Sequence, residues 1–315
     1  MSKMSQQLSL NFRPSRSLRS KAPHLYASFG KGVGELKQSS FYEILSNWQL
    51  SEYQLKELSF PQKHPFDSNR AEIAKPYHKF FHHISDPIRR KCGHCKRIYS
   101  VYNPPKPCRY HWRGYRHELG VNICCNRPKG GAFCATAPRC VTDDVDANNL
   151  LGYKNTSVVG RGGPDVYAID AEMVYTEDCM EACAVTLVGA NCKVVYETRF
   201  LPDKPIIDYN THHSDLTEKD FRYTSTTLNH VHQELLRYLG PSTILVGHGL
   251  SHDLLRLKLI HNKIVDTSVL FPLKDGKTRG LQSLEEEYLE DKAESDHKLK
   301  CTGDAIVTMR LALLK

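Results

Sequence analysis

The run Val166-Tyr167-Ala168-Ile169-Asp170-Ala171-Glu172-Met173-Val174 decides how this chain is read. Its apolar character predicts a strand. Successive strand residues point to opposite faces, so the carboxylates of Asp170 and Glu172, two residues apart, emerge side by side on one face. Two bare carboxylates held that close repel each other, and either a shared proton or a bound divalent cation relieves the repulsion. An edge strand with two solvated acids is the plain alternative.

Downstream, the pattern predicts strands over 182–189 and 193–201, joined to the first by short turns as in a meander. A helix is expected over 226–238, then a strand over 243–247, a helix over 250–260, a strand over 264–266, and helices over 283–289 and 302–314. Three meander strands followed by alternating helix and strand give a mixed sheet with helices on both faces. Two further acids fall where such a sheet presents its sites. Asp253 lies in the first turn of the helix that follows the buried strand ending at Gly247. Asp304 sits on the last helix, where Ile306, Met309 and Leu313 mark an inward face.

Upstream lies a cysteine-rich segment, read as a domain over 86–145. Of the eleven cysteines, seven fall between Cys92 and Cys140. Cys92, Cys95, Cys108, His111, Cys124, Cys125, Cys134 and Cys140 make up eight candidate zinc ligands. Zinc takes four thiolate or imidazole ligands, so eight suit two closed structural sites. One site with spare cysteines is the alternative. The adjacent Cys124 and Cys125 are expected to be divided between the two ions. The other four cysteines have apolar neighbours and read as core residues.

The same segment is strongly basic, and Glu118 is its one acid among residues 89–129. Arg109, Arg113 and Arg116, interleaved with Tyr110, Trp112 and Tyr115, have the charge and stacking groups of a nucleic-acid surface. Packing of Tyr110 and Trp112 around the zinc sites is the competing reading. The net charge of the whole chain, +8, is concentrated here.

Residues 1–38 read as a disordered basic tail with too little apolar surface to fold alone; a nuclear address, a nucleic-acid arm and an inert solvated tail are the alternatives. A helical segment and linker follow over 39–85, with Phe41, Ile44, Leu45 and Trp48 at helical spacing. Ser51 and Gln54 there form a capping-box pattern. The length of 315 residues suits two domains plus tails. No apolar run is long enough to span a bilayer, and the first residues lack a secretory signal, so an intracellular, membrane-free protein is expected. A second domain, carrying the four acids, is placed over 160–315.

Together, Ala168-Ile169-Asp170-Ala171-Glu172-Met173, Val246-Gly247-His248-Gly249-Leu250 with Asp253-Leu254, and Val265-Asp266-Thr267-Ser268 resemble the signatures of the DEDD exonucleases in their RNA exonuclease 1-like branch. The segment with Cys108, His111, Trp112, Cys124 and Cys125 resembles the cysteine-rich region that precedes the nuclease in that branch. The resemblance covers about 40–315. It implies a ribonuclease-H-like α/β fold and 3′ to 5′ hydrolysis of RNA precursors in the nucleus. It also implies two Mg²⁺ or Mn²⁺ ions held by Asp170, Glu172, Asp253 and Asp304, with Met173 and His248 at the RNA. In the histidine-containing branch a histidine five residues before the last aspartate is the general base. Here that position is Leu299, and His297 is the nearest histidine. A catalytically impaired RNA- or protein-binding module on the same fold is the alternative, and DNA is the alternative substrate.

Overall fold

Strand β1 (Val166–Thr176) is the spine of the molecule. The computed structural model describes residues 38–74, 83–84, 86–273, 278–289 and 297–315, so nearly all of the basic tail lies outside the described residues. Four more strands extend the sheet in the order β3-β2-β1-β5-β6, with β2 Met180–Gly189, β3 Val194–Arg199, β5 Ile244–Gly247 and β6 Ile264–Asp266. The meander pairs β1, β2 and β3 antiparallel, whereas β5 and β6 join β1 in parallel. A short strand β4 (Ile206–Asp208), not anticipated from the sequence, pairs with the end of β1 at Tyr175 and Thr176.

Both faces of the sheet are covered by helices. One face of β1, through Ile169 and Ala171, packs with Val231 and Leu235 of α3 (Leu228–Tyr238) and Leu254 of α4 (Ser251–Arg256). Leu50, Leu55 and Phe60 from the N-terminal segment join that core. This segment comprises α1 (Gln38–Ser46) and α2 (Glu52–Glu57), the latter opened by the Ser51–Gln54 capping box. The opposite face, through Val166 and Ala168, packs with Phe41 and Leu45 of α1 and with Leu284 of α5 (Leu281–Tyr288). Ala305 and Met309 of α6 (Lys300–Ala312) complete it. Each fully buried leucine here contributes about 1.5–3 kcal/mol over an exposed one. The arrangement is the ribonuclease-H-like fold expected from the sequence.

One expected element is corrected. The helix read over 250–260 stops at Arg256. Lys258 then takes a left-handed backbone (φ 50°), and Leu259–Ile260 forms a small parallel bridge with Lys154–Asn155. Leu259 and Ile260 are fully buried there, so their apolar signal came from tertiary packing rather than from a helix face.

The cysteine-rich segment is built of short antiparallel pairs: Arg89–Lys91 with Ile98–Ser100, Cys108–Tyr110 with Ala135–Ala137, and Tyr115–Arg116 with Val121–Asn122. Its own core is small, centred on Cys92, Cys108, Tyr110, Ala137 and Cys140. It docks on the nuclease-like portion around β4. The His94 ring stacks on Tyr110 at 4.1 Å, meets Tyr175 of β1 edge-on, and lies 3.3 Å from the Asp208 carboxylate. Gly93 is required at this contact, because a Cβ there would come within 2.7 Å of the Tyr175 hydroxyl.

Candidate active site and metal centres

Residues of even number on β1 share one face, and along that face the chemistry changes twice. Val166 and Ala168 belong to the apolar cluster beneath α6. Val174 belongs to a second apolar cluster with Cys183, Leu299 and Cys301, and Asp170 and Glu172 fill the gap between the two. The register of β1 against β2 shifts between Glu172 and Met173, a bulge of the kind that re-aims side chains beside a site. Helix α6 brings the third acid. Its rotation is fixed by Thr302, whose hydroxyl meets that of Thr186 at 2.8 Å, directly across from Asp170, and by the buried Leu299 and Cys301. With that face inward, Asp304 turns to the acids. Oxygens of Asp170, Glu172 and Asp304 lie within 4.8 Å of one another.

Asp253 stands just beside this group. The carboxylate accepts a hydrogen bond from the Ala171 backbone N–H (3.2 Å), between the two acids of β1. The turn that carries it is braced by Asp266 at the end of β6, which accepts from the backbone N–H groups of Gly249, Leu250 and Ser268. Gly247 lets the turn close, since a Cβ would lie 2.7 Å from the Leu250 side chain. His248 points its Nδ1 at the Thr267 hydroxyl (2.9 Å), and Met173 packs half-buried against the core.

Electrostatics make this a site under tension. Burial and the repulsion of Asp253, Asp304 and Glu172 hold the Asp170 carboxyl well above the usual carboxylate range. Burial pushes Glu172 up to about 8, against the pull of Lys300, and burial likewise pushes Asp253 up to about 8. Glu172 Oε1 is buried without a hydrogen-bond partner. Crowded carboxylates with an unsatisfied oxygen are the donor set a hard divalent cation requires.

Leu299 is buried in the apolar cluster and cannot accept a proton there. His297 lies just before the start of α6. A Cβ at Gly303 would be 3.6 Å from its Cδ2, which puts the ring next to the residue that precedes Asp304.

The zinc candidates gather into two groups of four, Cys92 with Cys95, Cys108 and Cys140, and His111 with Cys124, Cys125 and Cys134. Sulfur pairs stand at 3.7 Å (Cys92–Cys108 and Cys95–Cys140), 3.4 Å (Cys124–Cys134) and 3.9 Å (Cys124–Cys125). Tetrahedral zinc with bonds of about 2.3 Å sets its sulfurs roughly 3.8 Å apart, whereas a disulfide needs about 2.0 Å. The spacing therefore fits two metal centres.

Both adjacent cysteines serve the second group, so the expected division of Cys124 and Cys125 between two ions is wrong. The reason is a shared turn. Lys96 donates to the Cys92 carbonyl and is left-handed (φ 62°), and Asn126 donates to the Asn122 carbonyl and is left-handed (φ 55°). The second turn thus repeats the first with Asn122 in the place of Cys92, and Cys124 supplies the ligand that Asn122 cannot.

Of the basic residues, Arg109, Arg113 and Arg116 are exposed. Trp112 is engaged elsewhere: its ring stacks on His212 at 4.8 Å and meets His213 edge-on, with the Arg113 guanidinium 5.4 Å from its centre. The structure adds residues that sequence reading passed over. Lys300 places its ammonium 3.3 Å from Asp304 and 3.9 Å from Glu172, and its spacing four before Asp304 on a helix was the available signal. Asp266 could have been read as a helix N-cap before Thr267 and Ser268. The pairing of His94 with Asp208 left no local signal.

The sequence matches no family model. It is 36% identical to the human RNA exonuclease 1 homolog over 273 residues, 82% of this chain and 22% of that protein. The chain belongs to the RNA exonuclease 1-like group. It is also 36% identical to exonuclease GOR of Pan troglodytes, over 81% of this chain and 39% of that one. With RNA exonuclease 1 of Saccharomyces cerevisiae it shares 32% identity over 55% of its length and 32% of the relative's. The chain thus spans well under half of these curated relatives. Among solved structures, the Neurospora crassa Pan2 catalytic unit shows a loose likeness, with TM-score 0.42 and 19% identity over 54% of this chain and 28% of that one. Among the described residues no helix is long and apolar enough to cross a membrane.

Proposed function

We propose that the chain is a metal-dependent exoribonuclease that shortens RNA precursors from the 3′ end, in the nucleus. The observation that carries this reading is the carboxylate cluster of Asp170, Glu172 and Asp304, with a buried oxygen that has no hydrogen-bond partner, on a chain whose relatives are named RNA exonucleases. Asp170, Glu172 and Asp304, with Asp253 beside them, would hold two Mg²⁺ or Mn²⁺ ions. Such ions supply charge neutralisation at the phosphodiester and a more acidic water.

The chain's own residues do the rest. The Ala171 N–H fixes the Asp253 carboxylate, and Asp266 fixes the turn that carries it, so the acids meet the substrate already in place. His297, just before α6 and next to Gly303, takes the proton of the attacking water at a ring nitrogen. Met173 and His248 flank the terminal nucleotides. Arg109, Arg113 and Arg116 of the zinc-stabilised region, which holds two Zn²⁺, bind the RNA backbone farther from the end. Trp112 serves to fasten that region to His212 and His213, and any stacking on RNA falls to other rings.

Buried Leu299 at the position of the family's histidine favours a second reading, an RNA-binding module with impaired turnover. End-labelled RNA with Mn²⁺ separates the two. A 5′-labelled strand should shorten stepwise while a 3′-labelled strand releases labelled mononucleotide at once. RNA bound but left intact would support the second reading against the first.

A further inference from the structure

We infer that Lys300 is a tethered counter-cation that occupies the acidic site in the absence of metal and has to be displaced when a divalent ion enters. This rests on the reading of Asp170, Glu172 and Asp304 as a metal site and concerns how that site is controlled.

The position of Lys300 follows from the backbone. Leu299 caps α6 and is anchored in the cluster with Val174, Cys183 and Phe221, while Cys301 and Thr302 are fixed against Thr186. Between these anchors Lys300 has one direction left, along the face of α6 that it shares with Asp304 four residues on. The ammonium sits 3.3 Å from Asp304 and 3.9 Å from Glu172. It is the cation that Asp170, Glu172 and Asp304 jointly face among the described residues, and its side chain, 42% exposed, keeps a path to solvent.

Two consequences follow from the charges. Without metal, three crowded carboxylates gain one positive neighbour, which lowers the cost of keeping the site built. With metal, a dication and an ammonium cannot share Glu172 and Asp304 without repulsion, so binding of the ion expels the lysine on its flexible four-carbon stem. The tether therefore sets the divalent concentration at which the site fills. Once expelled, the ammonium remains at the rim of the cleft, where a substrate phosphate is its natural partner.

The test is Mn²⁺ binding to the full chain, read by the electron paramagnetic resonance of free Mn²⁺, together with thermal unfolding without added divalent ions. Lys300→Gln should bind Mn²⁺ on the order of tenfold tighter than the wild type, a change of about 1.4 kcal/mol. It should unfold at a lower temperature when Mn²⁺ is absent, and Lys300→Arg should behave like the wild type in both respects. Equal Mn²⁺ affinity in Lys300→Gln and wild type, with binding still lost in Asp170→Ala, would overturn the tether and leave the metal site standing. If Mn²⁺ binds none of these proteins, the metal site and the tether fall together. A Lys300→Gln protein whose far-ultraviolet spectrum matches the wild type keeps the comparison free of misfolding.

Discussion

At the scale of single residues, the division of labour at the start of α6 is the sharpest claim. Leu299 is locked into apolar packing, and the proposed mechanism gives proton transfer to His297. His297→Ala should lower kcat by a factor on the order of 10² to 10⁴ while Mn²⁺ affinity stays unchanged. Unchanged turnover would remove His297 from the mechanism. The raised acids carry a second expectation. A carboxyl whose folded-state pKa is raised holds a proton that the unfolded chain has already lost, so stability falls as pH climbs towards the folded value. The buried histidines His232, His248 and His261 are held below their ordinary value by burial, and they act in the opposite sense only below about 6.5. Between pH ~6.5 and 8, Glu172 and Asp253, which titrate near 8, lower stability as pH rises, whereas the thiols of Cys95 and Cys124, held down at about 6 and about 7, act in the opposite sense. The thiols act alike with and without Mn²⁺, so the stability gained on adding Mn²⁺ should grow as pH climbs through this window. Urea unfolding with and without Mn²⁺ checks it, and a gain that stays constant or shrinks with pH would contradict it.

At the scale of elements, the site depends on two fixtures, the turn between β5 and α4 and the rotation of α6. Gly247→Ala would force the Leu250 side chain to move from a 2.7 Å contact, and overpacking of this kind costs about 1–3 kcal/mol. Urea unfolding should show that loss, together with weaker Mn²⁺ binding as Asp253 shifts. Full stability with unaltered metal binding would mean that the turn is looser than described. What was legible in the sequence follows from the range of each signal. The meander and the pair Asp170 and Glu172 are local, written in alternation and in a buried run. The fourth strand, β4, is three residues long, and only the end of β1 and the docked cysteine-rich segment give it a role. The helix expected over 250–260 failed because burial of Leu259 and Ile260 imitates a helical apolar face. Cys124 and Cys125 were misassigned because adjacency was judged without the left-handed turn at Asn126. The spacing of Lys300 four before Asp304 was legible, but its reach to Glu172 could be placed only once Leu299, Cys301 and Thr302 had fixed the rotation of the helix.

At the scale of the whole molecule, the proposed zinc clusters and the acidic site are mechanically joined. His94, one residue before the ligand Cys95, reaches Asp208 of β4, and β4 pairs with the same strand that carries Asp170 and Glu172. Two zinc equivalents per chain are expected by elemental analysis. Cys124→Ser should retain one of them and keep the first group, and less than one equivalent in the wild type would rule out both clusters. Because the cysteine-rich core is small, zinc bound there would supply much of its folding free energy. Removal of zinc should therefore expose Trp112 and shift its fluorescence to the red as the contact with His212 opens.

The central claim is that Asp170, Glu172, Asp253 and Asp304 deliver divalent ions to a phosphate of RNA. A single phosphorothioate at the bond next to the 3′ end tests it most directly. Sulfur binds Mg²⁺ poorly and Mn²⁺ better. One sulfur diastereomer should be cleaved far more slowly than the all-oxygen RNA in Mg²⁺ and recover in Mn²⁺, with Asp170→Ala inactive in both. An equal response to sulfur in the two metals, or cleavage that survives Asp170→Ala, would contradict the account.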